Sequence, residues 1–409
     1  MHPSTTLIQP LSSARSTGNA WPNNRRSPEI RSFAAALLVF CAALVLAQPS
    51  IADTFIFAGT GNLVTGRATQ TANLLPDGRV LVAGGASGKM IFSSAEIYDP
   101  ATGTWSTIRS MKTARFRHAS ATLLDGRILV MGGRGKVGAT VNAELYNPAT
   151  GAWHATGSMA VARAHLTATL LLDGRVLVTG GGETGAGAIS SAETYDPATG
   201  IWSDAGNMAY ARFRHAASLL ADGRVLITGG NSVTGSLATA EIYDPIANVW
   251  TTTGNMTEPR YRQTSTLLPN GQVLIVAGQN DTYNLFTTEL YNPETGIFTA
   301  TGNLATPRAS HTATLMPNGM VLAVAGQGGP VVTTELYDPA TGIWTQQGSL
   351  QTGRSAHTAT LLPDGHLVIA GGYGYDGEAS SIQPDFANHK SLSSCELGSA
   401  TSGPGSLFQ

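Results

Sequence analysis

The chain has 409 residues, a net charge of −2 and only 12% charged residues, a balance that argues against nucleic-acid or membrane-surface binding driven by electrostatics. Its 48 glycines imply many tight turns. The two cysteines, Cys41 and Cys395, fall in segments read below as a leader and a tail, so the folded body is expected to have no disulfide, cysteine metal site or cysteine nucleophile.

Residues 1–52 read as a secretory signal. Arg25, Arg26 and Arg31 form a basic region, Phe33 to Ala47 is an apolar run of 15 residues, and Ser50-Ile51-Ala52 is a small-x-small cleavage triplet. The run is short for a membrane-spanning helix, which needs roughly 20 residues. Cleavage after Ala52 and a secreted or periplasmic protein are expected, with an uncleaved anchor as the alternative.

Beyond this leader one pattern is written seven times. A turn dipeptide stands between two apolar runs at Asp77-Gly78, Asp125-Gly126, Asp173-Gly174, Asp222-Gly223, Asn270-Gly271, Asn318-Gly319 and Asp364-Gly365, at steps of 46 to 49 residues. In the second repeat, His118–Leu124 predicts a first strand, Arg127–Met131 a second that is apolar on both faces, Ala143–Tyr146 a third, and Trp153 opens a fourth. Tight turns at Asp125-Gly126 and Asn147–Gly151 join the first to the second and the third to the fourth. Four short strands at this period predict an all-β, seven-bladed β-propeller with four antiparallel strands per blade, over residues 53–384. Recurrent Tyr98, Tyr146, Tyr195, Tyr243, Tyr291 and Tyr337, each seven residues before Trp105, Trp153, Trp202, Trp250, Phe298 and Trp344, are read as packing between blades.

Only six repeats carry those later strands. Phe57 lies ten residues before Arg67, the offset of Trp105 from Arg115, so Thr54 to Leu63 is expected to supply the outer strand of the last blade and close the ring. After Gly372 no Glu-x-Tyr-Asp-Pro stretch appears, so that blade is expected to be incomplete, with a weak or missing third strand, and residues 385–409 to form a disordered tail.

Diglycines at Gly84-Gly85, Gly132-Gly133, Gly180-Gly181, Gly229-Gly230 and Gly371-Gly372, followed by Glu-x-Tyr-Asp/Asn-Pro and then Trp, resemble the kelch repeat. The fifth and sixth repeats depart, with Ala277-Gly278 and Ala325-Gly326. The resemblance, which reaches the central domain of galactose-oxidase-like proteins, implies a propeller whose loop face is the usual binding surface. Copper-radical oxidases of this kind need a cysteine crosslinked to tyrosine, two histidines and a second tyrosine; with no cysteine in the body, that activity is disfavoured. No catalytic residue, metal site or cofactor is assigned.

Ten residues before every hairpin turn stands an arginine: Arg67, Arg115, Arg163, Arg212, Arg260, Arg308 and Arg354. Two readings stay open. Either each arginine pairs with a glutamate of the Glu-x-Tyr motif (Glu96, Glu144, Glu193, Glu241, Glu289 or Glu335), or the column forms an anion-binding mouth, strengthened by Arg117, His165, Arg214 and Arg262 at the same level. His118, His215, His311 and His357, aligned with Gln70, Leu166 and Gln263, are read as side chains bonding neighbouring backbone. The segment Gln279 to Phe286, with Asp281, Tyr283, Asn284 and Phe286, breaks the repeat and is a candidate recognition loop. The expected function is non-catalytic recognition of a protein or glycan by a monomer, with no nucleic-acid partner and no membrane contact beyond the export signal; an architectural cell-surface protein is the other alternative.

Overall fold

The computed structural model describes residues 54–183, 187–328, 331–374 and 391–401. The leader expected over residues 1–52 lies outside them. The seven main sheets are each four-stranded and antiparallel. Blade 2 shows the pattern: Ala119–Thr122 innermost, then Ile128–Met131, Ala143–Asn147 and Ala152–Ala155 outermost. The first strands of successive blades touch, and Thr71–Leu74 of blade 1 meets Thr358–Leu361 of blade 7, so the ring closes about a central channel.

Local chemistry accounts for each element. At all seven hairpins the Asp or Asn side chain accepts the amide of the residue two positions on, and the glycine takes the left-handed conformation the turn needs. The second strands, such as Val80–Ala83, Ile128–Met131 and Val225–Thr228, are buried on both faces because each is sandwiched between neighbouring blades. The core is therefore a set of inter-blade clusters; Leu226 and Ile242 of blade 4 pack with Val273 and Ile275 of blade 5, each burial contributing about 1.5–3 kcal/mol. The aromatic columns pack as expected. Tyr98 and Trp105 lie 5.2 Å apart, and the Tyr98 hydroxyl meets Thr60 Oγ1 in the adjoining blade at 2.9 Å.

Blade 7 corrects the sequence reading. Its outer strand is Thr54–Thr60, as expected, but the third position is filled by Cys395–Thr401, which pairs with Thr54–Thr60 on one side and Leu367–Ala370 on the other. The blade has all four strands, and residues 391–401 belong to the propeller rather than to a disordered tail. The reason is a substitution within the motif. Gly398 stands opposite Phe57, where the other blades set Tyr opposite Trp or Phe, and a Cβ on Gly398 would strike the Phe57 ring. The body therefore also holds a cysteine. Cys395 is buried against Leu63, Val82 and Trp105, and burial pushes its thiol up to about 11, which leaves it protonated and unreactive. No helix among the described residues is long and apolar enough to cross a membrane.

Candidate functional site: the channel mouth

The seven-arginine column lies inside the blades. Every one of these side chains is fully buried and paired with a glutamate at 2.5 to 3.0 Å. Six partners are those of the Glu-x-Tyr motif; the seventh, for Arg354, is Glu396 on the strand that completes blade 7. Geometry repeats around the ring. In blade 4, Arg212 Nη1 donates to the carbonyls of Gly229 and Thr239, and Nη2 to Glu241, whose carboxylate also accepts the amides of Ala209 and Tyr210. The bridge thus fastens the incoming connector to the third strand of its own blade. These groups are spent on structure, and none presents its charge to the channel.

Two residues further along each connector the chain does something else. Thr69, Arg117, His165, Arg214, Arg262, Ser310 and Ala356 all have φ between 50° and 57°, the left-handed region that side chains other than glycine rarely adopt. Their backbones form a closed girdle. Arg117 N donates to Thr69 O, His165 N to Arg117 O, Arg214 N to His165 O, Arg262 N to Arg214 O, and so through Ser310 and Ala356 back to Thr69, all at 2.9 to 3.1 Å. The girdle holds each of these residues at the rim of a cavity of about 330 Å³ at the mouth of the channel.

That rim is electrostatically lopsided. Blades 2 to 5 contribute Arg117, His165, Arg214 and Arg262, whereas blades 6, 7 and 1 contribute Ser310, Ala356 and Thr69. No carboxylate is among the described residues lining the cavity. Burial first, then the charges of Arg262 and Arg117, draw Arg214 down to about 9, the signature of a cation whose charge is poorly compensated. Aromatic faces hold the guanidinium groups in place: Arg117 over Phe116 at 5.0 Å, Arg214 over Phe213 at 5.3 Å, Arg262 over Tyr261 at 5.9 Å. Gln279 and Gln327 each accept a hydrogen bond from Arg262 Nη1 at 3.0 Å.

Below the rim sit the other histidines. His118 Nε2 meets Thr71 Oγ1 in the preceding blade at 3.0 Å, His215 meets Thr167 and Thr179, His311 meets Thr264, and His357 meets Thr312. Their neighbours across the blade gap are thus mainly threonine hydroxyls; Gln70 and Gln263 at the matching position donate to the carbonyls of Ala370 and Thr228. Burial pushes His118, His215 and His357 down to about 3, so they latch blade to blade as neutral rings. Among the described residues no three His, Cys, Asp or Glu side chains group so as to hold a metal ion.

Of the residues singled out in the sequence, the mouth brings together Arg117, His165, Arg214 and Arg262. It does not include Arg67 and its six equivalents, nor Asp281, Tyr283, Asn284 and Phe286. Those last four lie in the loop after the second strand of blade 5, with Tyr283 and Phe286 48% and 42% exposed and the Asp281 carboxylate tied to Ser236 of the neighbouring loop. Gln327, Tyr373 and the backbone girdle went unnoticed in the sequence. The girdle's signal was the position two residues after the arginine column, where side chains change from blade to blade while the arginine itself is constant.

The profile of the KLHDC2/KLHL20/DRC7 kelch-repeats domain matches residues 118–329, just over half of the chain, and the kelch-motif profile matches residues 70–112. The chain belongs to the kelch-repeat family. No curated protein matches it. Among solved structures, this kelch propeller is similar to a fungal alcohol oxidase of the AA5 family in complex with copper, at 19% identity and a TM-score of 0.68, covering 86% of this chain and 77% of that one. It is also similar to YjhT, at 16% identity and a TM-score of 0.56, covering 70% of this chain and 99% of that one. At such identities the likeness concerns the fold alone.

Proposed function

We propose that this kelch propeller is an exported, non-catalytic recognition module that binds an anionic group of a protein or glycan at the mouth of its channel. The observation that carries the reading is the convergence of Arg117, Arg214, Arg262 and His165 on a cavity whose described lining contains no carboxylate, in a protein whose net charge is −2. Three guanidinium groups held on aromatic faces form a preorganised clamp for carboxylate or another oxyanion. Left-handed backbone at non-glycine residues costs about 1–3 kcal/mol per site, and such strain clusters where side chains must be aimed. The neutral arc of blades 6, 7 and 1 leaves room for the uncharged remainder of a ligand, and the exposed Tyr283 and Phe286 offer flanking contacts on the same face. Export rests on the leader expected over residues 1–52.

The test is calorimetric titration with acetate, sulfate, an oligoglutamate peptide and an oligouronate, each beside a neutral counterpart. Salt-sensitive binding of an anionic member, weakened about tenfold or more by Arg214→Ala, is the expected result. Equal binding of charged and neutral probes, or an unchanged affinity in Arg214→Ala, would overturn the reading. The peptide and the uronate arms separate protein from glycan.

A further inference from the structure

Two of the seven hairpins depart from the rest. Asp opens the turn dipeptide in blades 1 to 4 and 7, whereas blades 5 and 6 have Asn270-Gly271 and Asn318-Gly319, and no other asparagine of the chain precedes a glycine. In blades 1 to 4 an arginine two residues on holds the Asp carboxylate, Nε to Oδ2 at 2.7 to 2.8 Å. Blades 5 and 6 put Gln272 and Met320 in that place. Both asparagines are exposed. A Cβ on Gly271 would meet nothing within 4 Å, and one on Gly319 would meet only Pro269 Cγ at 3.5 Å, so water and base reach both peptides. A side-chain amide followed by glycine is an electrophile beside an unhindered nucleophile, because glycine has no Cβ to obstruct the approach of its nitrogen.

We infer that Asn270 and Asn318 are hydrolytic modification sites, at which the chain converts its own amide to an acid. The glycine amide loses its proton to base, its nitrogen bonds to Cγ of the asparagine, and the Cγ–Nδ2 bond breaks; the departing nitrogen takes up a proton and leaves as ammonia. Water then opens the five-membered imide. Opening at one carbonyl gives aspartate, and opening at the other gives isoaspartate, whose main chain runs through Cβ and Cγ. Amide and water are consumed, acid and ammonia are formed, and nothing is oxidised or reduced. The fold sets the rate. The Gly271 amide donates to Leu268 O and the Gly319 amide to Met316 O, both at 2.9 Å, so each turn must open before its nitrogen attacks. Asn270 is held further: Oδ1 accepts from Gln272 N and Nδ2 donates to Gln272 Oε1, both at 3.0 Å. Among the described residues Asn318 has only the bond from Met320 N to Oδ1, at 3.1 Å, so it reacts first. The aspartate product keeps the turn, because Asp125, Asp173 and Asp222 accept the same amide, and it adds a negative charge with no arginine two residues on. The isoaspartate product lengthens the main chain and slackens the link between the first and second strands of its blade. Both hairpins lie at the far end of the first strand from the girdle, so the channel mouth is unaltered.

The experiment incubates the full chain at about pH 6 and about pH 8.5 and follows ammonia release, ion-exchange mobility and the peptides that span 268–272 and 316–320. Acidic forms should appear at residue 318 ahead of residue 270, and the rate should rise by up to about tenfold per pH unit, since only the deprotonated glycine amide attacks. Asn318→Asp should remove the faster step, leave the slower one and keep the denaturation midpoint. Retention of both asparagines at the higher pH, under conditions in which the chain in denaturant converts, overturns the inference. Equal conversion at an asparagine not followed by glycine overturns the assignment to these hairpins. Asn270 reacting first overturns the part given to Gln272.

Discussion

Arg212 and Arg214 stand two residues apart in one connector and carry the same charge, yet they do opposite work. Arg212 is fully buried, pairs with Glu241 at 2.7 Å and recurs in all seven blades. Arg214 is half-buried, has no carboxylate among the charges that shift it, and recurs only as Arg117 and Arg262. The difference is which way the chain turns. Arg212 points back into its own blade, where a glutamate and two carbonyls await, whereas left-handed backbone at Arg214 places the next basic group on the channel rim. Charge repeated in every blade alongside a repeated opposite charge is architecture. Charge confined to some blades is set on the channel rim instead, outside the repeated arginine–glutamate column.

The most severe way to break this comparison is to remove the strand that donates Glu396. Deleting 395–401 leaves Arg354 buried without its carboxylate and exposes Leu367–Ala370 and Thr54–Thr60 along their edges, so the cooperative thermal transition should be lost and the protein should aggregate. Next comes the structural column itself. Arg212→Ala should cost about 3–5 kcal/mol, read as a lowered denaturation midpoint, because Glu241 is left buried and unpaired. The double variant with Glu241→Ala should cost less than the sum, whereas Glu193→Ala, whose partner is Arg163, should add to Arg212→Ala independently.

Smaller is the acid dependence of the latching histidines. In the unfolded chain His215 protonates below its ordinary value near 6.5, while the folded protein resists until about 3, so stability is full above the first value and falls as pH drops towards the second. His215→Gln, the residue already used at 70 and 263, should keep the fold and flatten the acid slope of stability by about 1.4 kcal/mol per pH unit. The smallest effect sharpens the contrast: Arg214→Ala should change stability by only about 0.5 kcal/mol, since lost stacking on Phe213 is offset by relieved repulsion from Arg262 and Arg117, while anion binding falls.

Much of this was legible in the residues. Asp-Gly and Asn-Gly turns at a steady period fixed the blades, the offset of Phe57 from Arg67 placed the closing strand, and the glutamate column supplied six of the seven ion pairs. The third strand of blade 7 was hidden because 375–390 intervene and because Gly398 replaces the tyrosine; Ser394-Cys395-Glu396-Leu397 does echo Ser94-Ala95-Glu96-Ile97, and that echo was the only cue. The mouth was half legible. Arg117, His165, Arg214 and Arg262 stood out as charges, but their separation from the arginine column depends on positive φ at residues whose types do not announce it.

The clasp in blade 7 also sets a timetable. Thr54 and Thr401, bonded to each other, are 347 residues apart, so one half of the clasp is synthesised long before the other. At about 5–20 residues per second, Thr54–Thr60 waits roughly 20–70 s for its partner while the intervening blades emerge and stack in order. Until Cys395–Thr401 arrives the array is an open crescent, and the backbone girdle lacks the bond between Thr69 and Ala356 that closes it. A ribosome-bound chain stalled before Cys395 is therefore expected to be cut by protease at Thr54–Thr60, so that the ring becomes protease-resistant in a single step.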